Sequence, residues 1–165
     1  SAIRDDNPVV VIENRLLLYQ EEEVPEGEWI VPLGQAEAAR EGSDITVIAT
    51  AYARRKALAA ADKLAGEISV EVIDPRTLEP LDLETILKSV EKTGRVVIAD
   101  EDTERCGFAA ELGFQIMENA FDSLDAPIKR VAQKEVPLPY NQKLEQMALP
   151  QMDDVVTAVK EVVHG

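Results

Sequence analysis

The stretch Ile68-Ser69-Val70-Glu71-Val72-Ile73-Asp74-Pro75-Arg76-Thr77-Leu78-Glu79-Pro80-Leu81-Asp82 decides how this 165-residue chain folds. Ile68, Val70 and Val72 alternate with Ser69 and Glu71. β-Branched residues at a period of two predict a strand. Pro75 fixes its own φ and drives Asp74 out of the helical region, so the strand stops at that corner. Asp82 then stands ready to accept from the first free amides of a helix over 83–92, whose Leu83, Ile86, Leu87 and Val90 share one face.

The same plan recurs on both sides. Ile45 to Ala49 and Arg95 to Asp100 are short β-branched runs, and Ile128 to Val131 is a further strand candidate. Helical spacing marks Ala53 to Ala65, Gly107 to Asn119 and Met152 to Val163, the last with Val155, Val156 and Val159 inward. Strands separated by helices call for right-handed crossovers and a mostly parallel sheet covered on both faces, an α/β fold of three layers. Ile45–Ala49, Ile68–Ile73 and Val96–Ala99 are expected to be adjacent parallel strands, with the helices at 53–65 and 83–92 as crossovers. Ahead of this region, Val9 to Ile12 is a continuous apolar run that predicts a strand buried on both faces. Residues 13–33 have no sustained period, carry Glu21-Glu22-Glu23 and break at Pro25, Gly27 and Pro32, which marks an exposed connection with the acidic triplet as a solvated face.

Composition narrows the function. The formal charge of −15 opposes nucleic acid and anionic membranes, which bind through Lys and Arg facing phosphate, and suits a basic protein partner. With 45% apolar and 30% charged residues the chain has an ordinary globular composition. The one cysteine has no partner for an internal disulfide, and no apolar run reaches membrane length, which points to a reducing compartment. Ser1 to Asp6 lacks the apolar core of a targeting peptide.

Chemical motifs are sparse. Cys106 stands just before a helix and beside Arg105, where a thiol pKa can fall, but no partnering base is near in sequence and the single histidine, His164, lies at the chain end. Gly107 to Gly113 does not fit G-x-G-x-x-G, and no phosphate-binding G-x-x-x-x-G-K-[ST] occurs. Neither a catalytic nor a cofactor-binding residue is read from the sequence.

Four stretches carry a family resemblance in register: Ala2-Ile3-Arg4-Asp5-Asp6-Asn7-Pro8, Asp74-Pro75-Arg76-Thr77-Leu78-Glu79-Pro80-Leu81-Asp82, Leu124-Asp125-Ala126-Pro127 with Arg130-Val131, and Pro137-Leu138-Pro139-Tyr140 followed by Leu144-Glu145 and Leu149-Pro150. Together they resemble the β subunit of thiamine-diphosphate-dependent 2-oxo acid dehydrogenases, the decarboxylating component of pyruvate, branched-chain and acetoin dehydrogenase complexes. The resemblance implies a five-stranded, mostly parallel sheet of the transketolase C-terminal type with one antiparallel edge strand. It divides the chain into the tail of a pyrimidine-binding domain with its connection, 1–33, and a C-terminal domain, 34–165, of a subunit about twice as long. It places thiamine diphosphate and Mg²⁺ in the full enzyme, with the activating groups outside this chain. The expected partners are an α subunit, a second β subunit in an α2β2 tetramer and the subunit-binding domain of a dihydrolipoyl acyltransferase, in a cytoplasm or a mitochondrial matrix. A stand-alone α/β interaction module is the alternative.

The resemblance also assigns sites. Ala2, Ile3, Asp5 and Asn7 match positions that hold a structural potassium ion through oxygen ligands, which suit a hard cation; the plainer reading is a solvated turn. Asp125 matches a position that pairs with a basic residue of the subunit-binding domain, joined by the terminal carboxylate, here on Gly165. The plainer reading has Asp125 merely ending the preceding helix before Pro127.

Overall fold

The computed structural model describes residues 1–21 and 23–165. Five strands, β1 (Glu37–Arg40), β2 (Ile45–Ala49), β3 (Val70–Asp74), β4 (Val96–Thr103) and β5 (Lys129–Gln133), form one sheet in the order β1-β3-β2-β4-β5. The helices are α1 (Ala51–Lys63), α2 (Leu83–Thr93), α3 (Phe108–Ala120), α4 (Gln142–Ala148) and α5 (Met152–His164). β2 pairs in parallel with β3 and β4, β4 with β5 likewise, and β1 lies antiparallel on β3. The three expected adjacent parallel strands, their two crossovers and the antiparallel edge strand are all present.

β2 is buried along its whole length because it is the middle strand and covered on both faces. Ile45, Val47 and Ala49 join α1 and α5 in one core, while Ile48 faces the other way into a core with α2 and α3. Thr46 also faces α2, where its Oγ1 lies 2.7 Å from Ser89 Oγ and 2.8 Å from Thr93 Oγ1, so the buried hydroxyls satisfy one another. Gly42 lets the turn before β2 lie against β3: a Cβ there would stand 2.2 Å from the Glu71 nitrogen. Glu71, 4% exposed, accepts from Lys92 at the end of α2, and Lys92 also reaches Glu41 at 3.1 Å. Those two carboxylates, Glu71 first, hold the Lys92 ammonium above its ordinary pKa.

The loop between β3 and α2 fixes the edge strand. Asp82 Oδ1 accepts from the Thr85 amide at 3.1 Å and so caps α2, while Oδ2 accepts from the Thr85 hydroxyl at 2.7 Å and from the Ala36 amide at 2.9 Å, just ahead of β1. Thr77 Oγ1 accepts from Gly34 N at 3.0 Å and donates to Pro80 O at 2.8 Å. Arg76, at φ 59°, reaches Glu37 of β1 at 2.8 Å, and Arg54 of α1 bridges Glu37 at 3.0 Å and Asp74 at 3.3 Å. Burial raises the Asp74 carboxyl pKa, against the Arg76 amide and both guanidinium groups.

One sequence expectation needs correction, and one helix lies outside the sequence reading. Val9 to Ile12 is not a buried strand: it pairs with no described residue, and Val10 and Ile12 are 86% and 76% exposed. An apolar run becomes a strand only where a ladder partner takes its amides. The helix α4 was not anticipated; Asn141 caps it, accepting from Lys143 N at 3.0 Å and Leu144 N at 3.3 Å. In the acidic triplet, Glu21 and Glu23 are exposed and Glu22 lies outside the described residues.

Replacing Asp82 by alanine is expected to destabilise the chain by about 1–3 kcal/mol, from a lost helix cap and an unpaired Ala36 amide. Burial opposes ionisation of Asp82, but the Ala36 amide and the hydroxyl and amide of Thr85 outweigh it and hold the folded-state pKa below the ordinary value. A depressed carboxylate pKa contributes stability above the unfolded-state pKa and loses it as pH falls through the folded one. In urea titrations, the gap between wild type and Asp82→Ala should therefore narrow in acid.

Candidate functional site

The residues singled out in the sequence lie at two ends of the sheet. At the amino ends of the parallel strands, α2 terminates at Gly94 in a left-handed conformation, φ 66°. The glycine is favoured by its φ, and a Cβ there would displace the exposed Asp125 carboxylate, whose Oδ2 would stand 2.5 Å away. Asp125 donates its amide to Gly94 O at 2.7 Å and presents a carboxylate that is 63% exposed, with Arg95 Nη2 at 3.9 Å. Asp125 does not end α3, which stops at Ala120 and is followed by a 3₁₀ turn over Phe121–Ser123. It docks the next loop onto the cap of α2 and leaves its acid group in water.

Gly165 is at the same end. Lys129 at the start of β5 pairs with Glu161 in the last turn of α5 at 2.7 Å, and Lys160 and His164 face Glu67 at 2.8 and 3.9 Å. The fold thus brings Asp125 and the α5 terminus to one edge, although 40 positions separate them in sequence. The Lys160 ammonium, through its hydrogen bond, holds the exposed Glu67 carboxyl below its ordinary pKa.

The potassium candidates Ala2, Ile3, Asp5 and Asn7 belong to the segment that meets the opposite, carboxyl end. Ala2–Arg4 form a 3₁₀ turn, and Asp5 Oδ1 accepts from the Asn7 amide at 2.8 Å and from Asn7 Nδ2 at 3.0 Å. Those two bonds, the backbone one first, lower the Asp5 pKa. The donor set is all oxygen, which fits a hard monovalent cation, but Asp5 Oδ1 is engaged in closing its own turn. Further along, Asn14 Nδ2 donates to Glu101 Oε2 at 2.8 Å, and Lys56 Nζ meets Glu101 Oε1 at 2.7 Å, which clasps the segment to the end of β4. Sequence reading missed this clasp, since Asn14, Lys56 and Glu101 share no local pattern.

Among the described residues no nucleophile–base pair is formed. Cys106 is exposed at φ 60° in the loop after β4, its neighbour Arg105 is bound to Glu135, and His164 lies at the amino end. Among the described residues no three His, Cys, Asp or Glu side chains are grouped to hold a metal ion. The carboxyl end does hold one buried acid, Asp100, 8% exposed, whose Oδ2 has no partner among the described residues. Burial raises its pKa, aided by the charge of Asp102 and opposed by the amides of Asp102, Glu101 and Ala109.

Residues 34–155 match the sequence model for the transketolase C-terminal domain. The chain belongs to the transketolase C-terminal domain family. It is 46% identical to the pyruvate dehydrogenase E1 component subunit beta of Rickettsia felis over 99% of its own length and 51% of that protein's. It is 39% identical to the acetoin:2,6-dichlorophenolindophenol oxidoreductase subunit beta of Cupriavidus necator, over 99% of this chain and 49% of that one. The chain thus spans about half the length of these relatives. Among solved structures, a split-gene transketolase described as an inactive β4 tetramer superposes with a TM-score of 0.72 at 28% identity, covering 87% of this chain and 46% of that one. The TM-score shows that the fold of this chain is shared with that structure.

Because the folded-state pKa of Asp100 lies above the unfolded one, its ionised form penalises folding near neutrality, and the penalty is relieved as pH falls through the raised pKa. Asp100→Asn should raise Tm near pH 7, with the gain shrinking towards about pH 4. A constant difference across that range would show that ionisation of Asp100 is not its source, and a reversed one that the carboxylate is needed in its ionised form.

Proposed function

We propose that this chain is the C-terminal assembly domain of the β subunit of a thiamine-diphosphate-dependent 2-oxo acid, pyruvate or branched-chain, or acetoin dehydrogenase, an enzyme that oxidatively decarboxylates its substrate and acylates lipoyl groups. The observation that carries this reading is the alignment at 46% identity across 99% of the chain with a subunit twice its length. In this reading residues 1–33 are the tail of a pyrimidine-binding domain and its connection, and 34–165 form the assembly domain. Thiamine diphosphate and Mg²⁺ are held by polypeptide outside this chain, and Ala2, Ile3, Asp5 and Asn7 supply part of an oxygen shell for K⁺. The compartment is a bacterial or archaeal cytoplasm or a mitochondrial matrix.

The partners are an α subunit and a second β subunit in an α2β2 tetramer, and the basic subunit-binding domain of a dihydrolipoyl acyltransferase at Asp125 and the Gly165 carboxylate. The exposed Asp125 carboxylate supports the last of these, since its backbone is fixed on the α2 cap while its charge stays accessible. An acidic group held in this way steers a basic partner and sets register.

Two outcomes test the reading. The isolated chain should neither bind thiamine diphosphate nor decarboxylate 2-oxo acids; micromolar binding in calorimetry would defeat that half. Asp125→Asn should weaken binding of the cognate subunit-binding domain and flatten its salt dependence, by about 1–3 kcal/mol for a desolvated pair and less than about 1 kcal/mol on an exposed rim. Equal affinities and equal salt slopes for the two proteins, measured at two ionic strengths, would remove Asp125 from the interface.

A further inference from the structure

β5 is an open edge of the sheet. The order β1-β3-β2-β4-β5 gives it β4 on one side only, and none of the backbone groups of Lys129–Gln133 bonds a described residue on the other. The opposite edge is blunted, since β1 is four residues long and its register breaks between Ala38 and Arg40. β5 keeps step with β4 from Lys129 to Val131, so its outer row of amides and carbonyls is a regular template.

A groove of about 290 Å³ runs beside this edge. Its long wall is α5, which turns Asp154, Thr157 and Glu161 towards it at the spacing i, i+3, i+7. α5 runs back along the strand: Glu161 in its last turn meets Lys129 at 2.7 Å, while just ahead of α5 Ala148 O accepts from Lys134 N at 2.9 Å. The groove therefore follows the five residues of β5, about 16 Å. An edge recessed in this way admits a single extended chain, whereas the edge of another sheet arrives flanked by its own helices.

Charge along the groove is settled except at one place. Lys129 is held by Glu161, Arg130 pairs with Glu104 at 3.5 Å, and Asp154 Oδ2 accepts from the Gln151 amide at 2.8 Å in the cap of α5. Lys134 is exposed and has no ion-pair partner among the described residues, because the adjacent carboxylate, Glu135, is bound to Arg105. The open charge is thus positive and lies at the carboxyl end of β5, while the middle of the groove is small and apolar at Ala132 and Ala158.

We propose that the outer edge of β5 takes one extended acidic segment of a partner protein as a sixth strand of the sheet, with small apolar side chains over Ala132 and Ala158 and a carboxylate on Lys134. In strand addition the main-chain bonds supply affinity and the pockets for alternate side chains supply specificity. The groove contains neither Asp125 nor Gly165, so the inference stands apart from the docking role given to those groups.

The probe is a short dye-labelled peptide of alternating Val and Ala with Glu at both ends, titrated against the full chain by fluorescence anisotropy beside a counterpart with Lys at both ends. The Glu peptide should bind at least about tenfold more tightly, and Lys134→Glu should abolish that preference. Thr157→Trp, which fills the groove from an exposed position, should weaken binding at least about tenfold with unchanged circular dichroism. Methylating the nitrogen of every second peptide residue should abolish binding in one phase and spare it in the other, since only alternate amides of an added strand face the edge. No binding of the Glu peptide, equal binding of both peptides, undiminished binding by Thr157→Trp or indifference to both methylations would overturn the proposal. Sedimentation in which wild type self-associates and Thr157→Trp is monomeric would assign the edge to a second copy instead.

Discussion

Asp82 divides its two carboxylate oxygens between parts of the chain that otherwise have no reason to meet. One oxygen closes the first turn of α2, and the other takes the Ala36 amide on the way into β1. Without the second bond, β1 is a four-residue edge strand held only by its ladder to β3 and by the charges of Arg54, Arg76 and Glu37. An antiparallel strand on the rim of a parallel sheet arrives by a loop and not by a helical crossover, so nothing in the βαβ repeat positions it. The side chains of Thr77 and Asp82 supply that missing constraint, and the 74–82 loop is therefore part of the sheet's construction as well as a turn.

The parallel sheet then sorts charge along its axis. Its amino ends carry the buried Gly94 cap and, in solvent, Asp125 and the end of α5, with ion pairs such as Lys160–Glu67 and Lys129–Glu161 in the open. Pairs of this exposure each contribute little to stability, so their effect is on the local potential that a partner meets. The carboxyl ends are tighter. There Asp100 is buried with one oxygen unpartnered, and Lys56–Glu101, at 13% and 21% side-chain exposure, grips Asn14 of the leading segment. One end leaves its charges in solvent and the other holds the chain's own leading segment.

Much of this was legible in the residues. β2, β3 and β4 are dense in Val and Ile and bounded by Gly, Pro and Asp, and a β-branched run with such punctuation has few alternatives to a strand. Helices with strong apolar faces, α2 and α5 above all, announced their core sides, and Asp82 announced a cap. Less legible were the short elements whose form depends on what lies beside them. β1, Glu-Ala-Ala-Arg, has no strand propensity of its own and is a strand because β3 offers it amides. Val9 to Ile12 has every propensity for a strand and is not one, because no described residue pairs with it.

The sequence alone determined the alternation of strand and helix, the stop at Asp74-Pro75 and the lack of a phosphate-cradling motif, while Asp125 and Asn7 were marked by the family resemblance. These are local matters of period, dihedral preference and side-chain chemistry, readable within a few positions. Tertiary structure decided the strand order, the neighbours of Asp125, the clasp of Asn14 by Glu101 and Lys56, and the exposure of Phe114 and Met117 on α3. Each depends on groups tens of residues apart meeting in space, and the free energy that selects such meetings comes from burial across the whole sheet. Phe114 and Met117 on α3 are large and apolar, and only the packing of α3 shows that the core is completed by its other side, Ala109, Leu112 and Ile116.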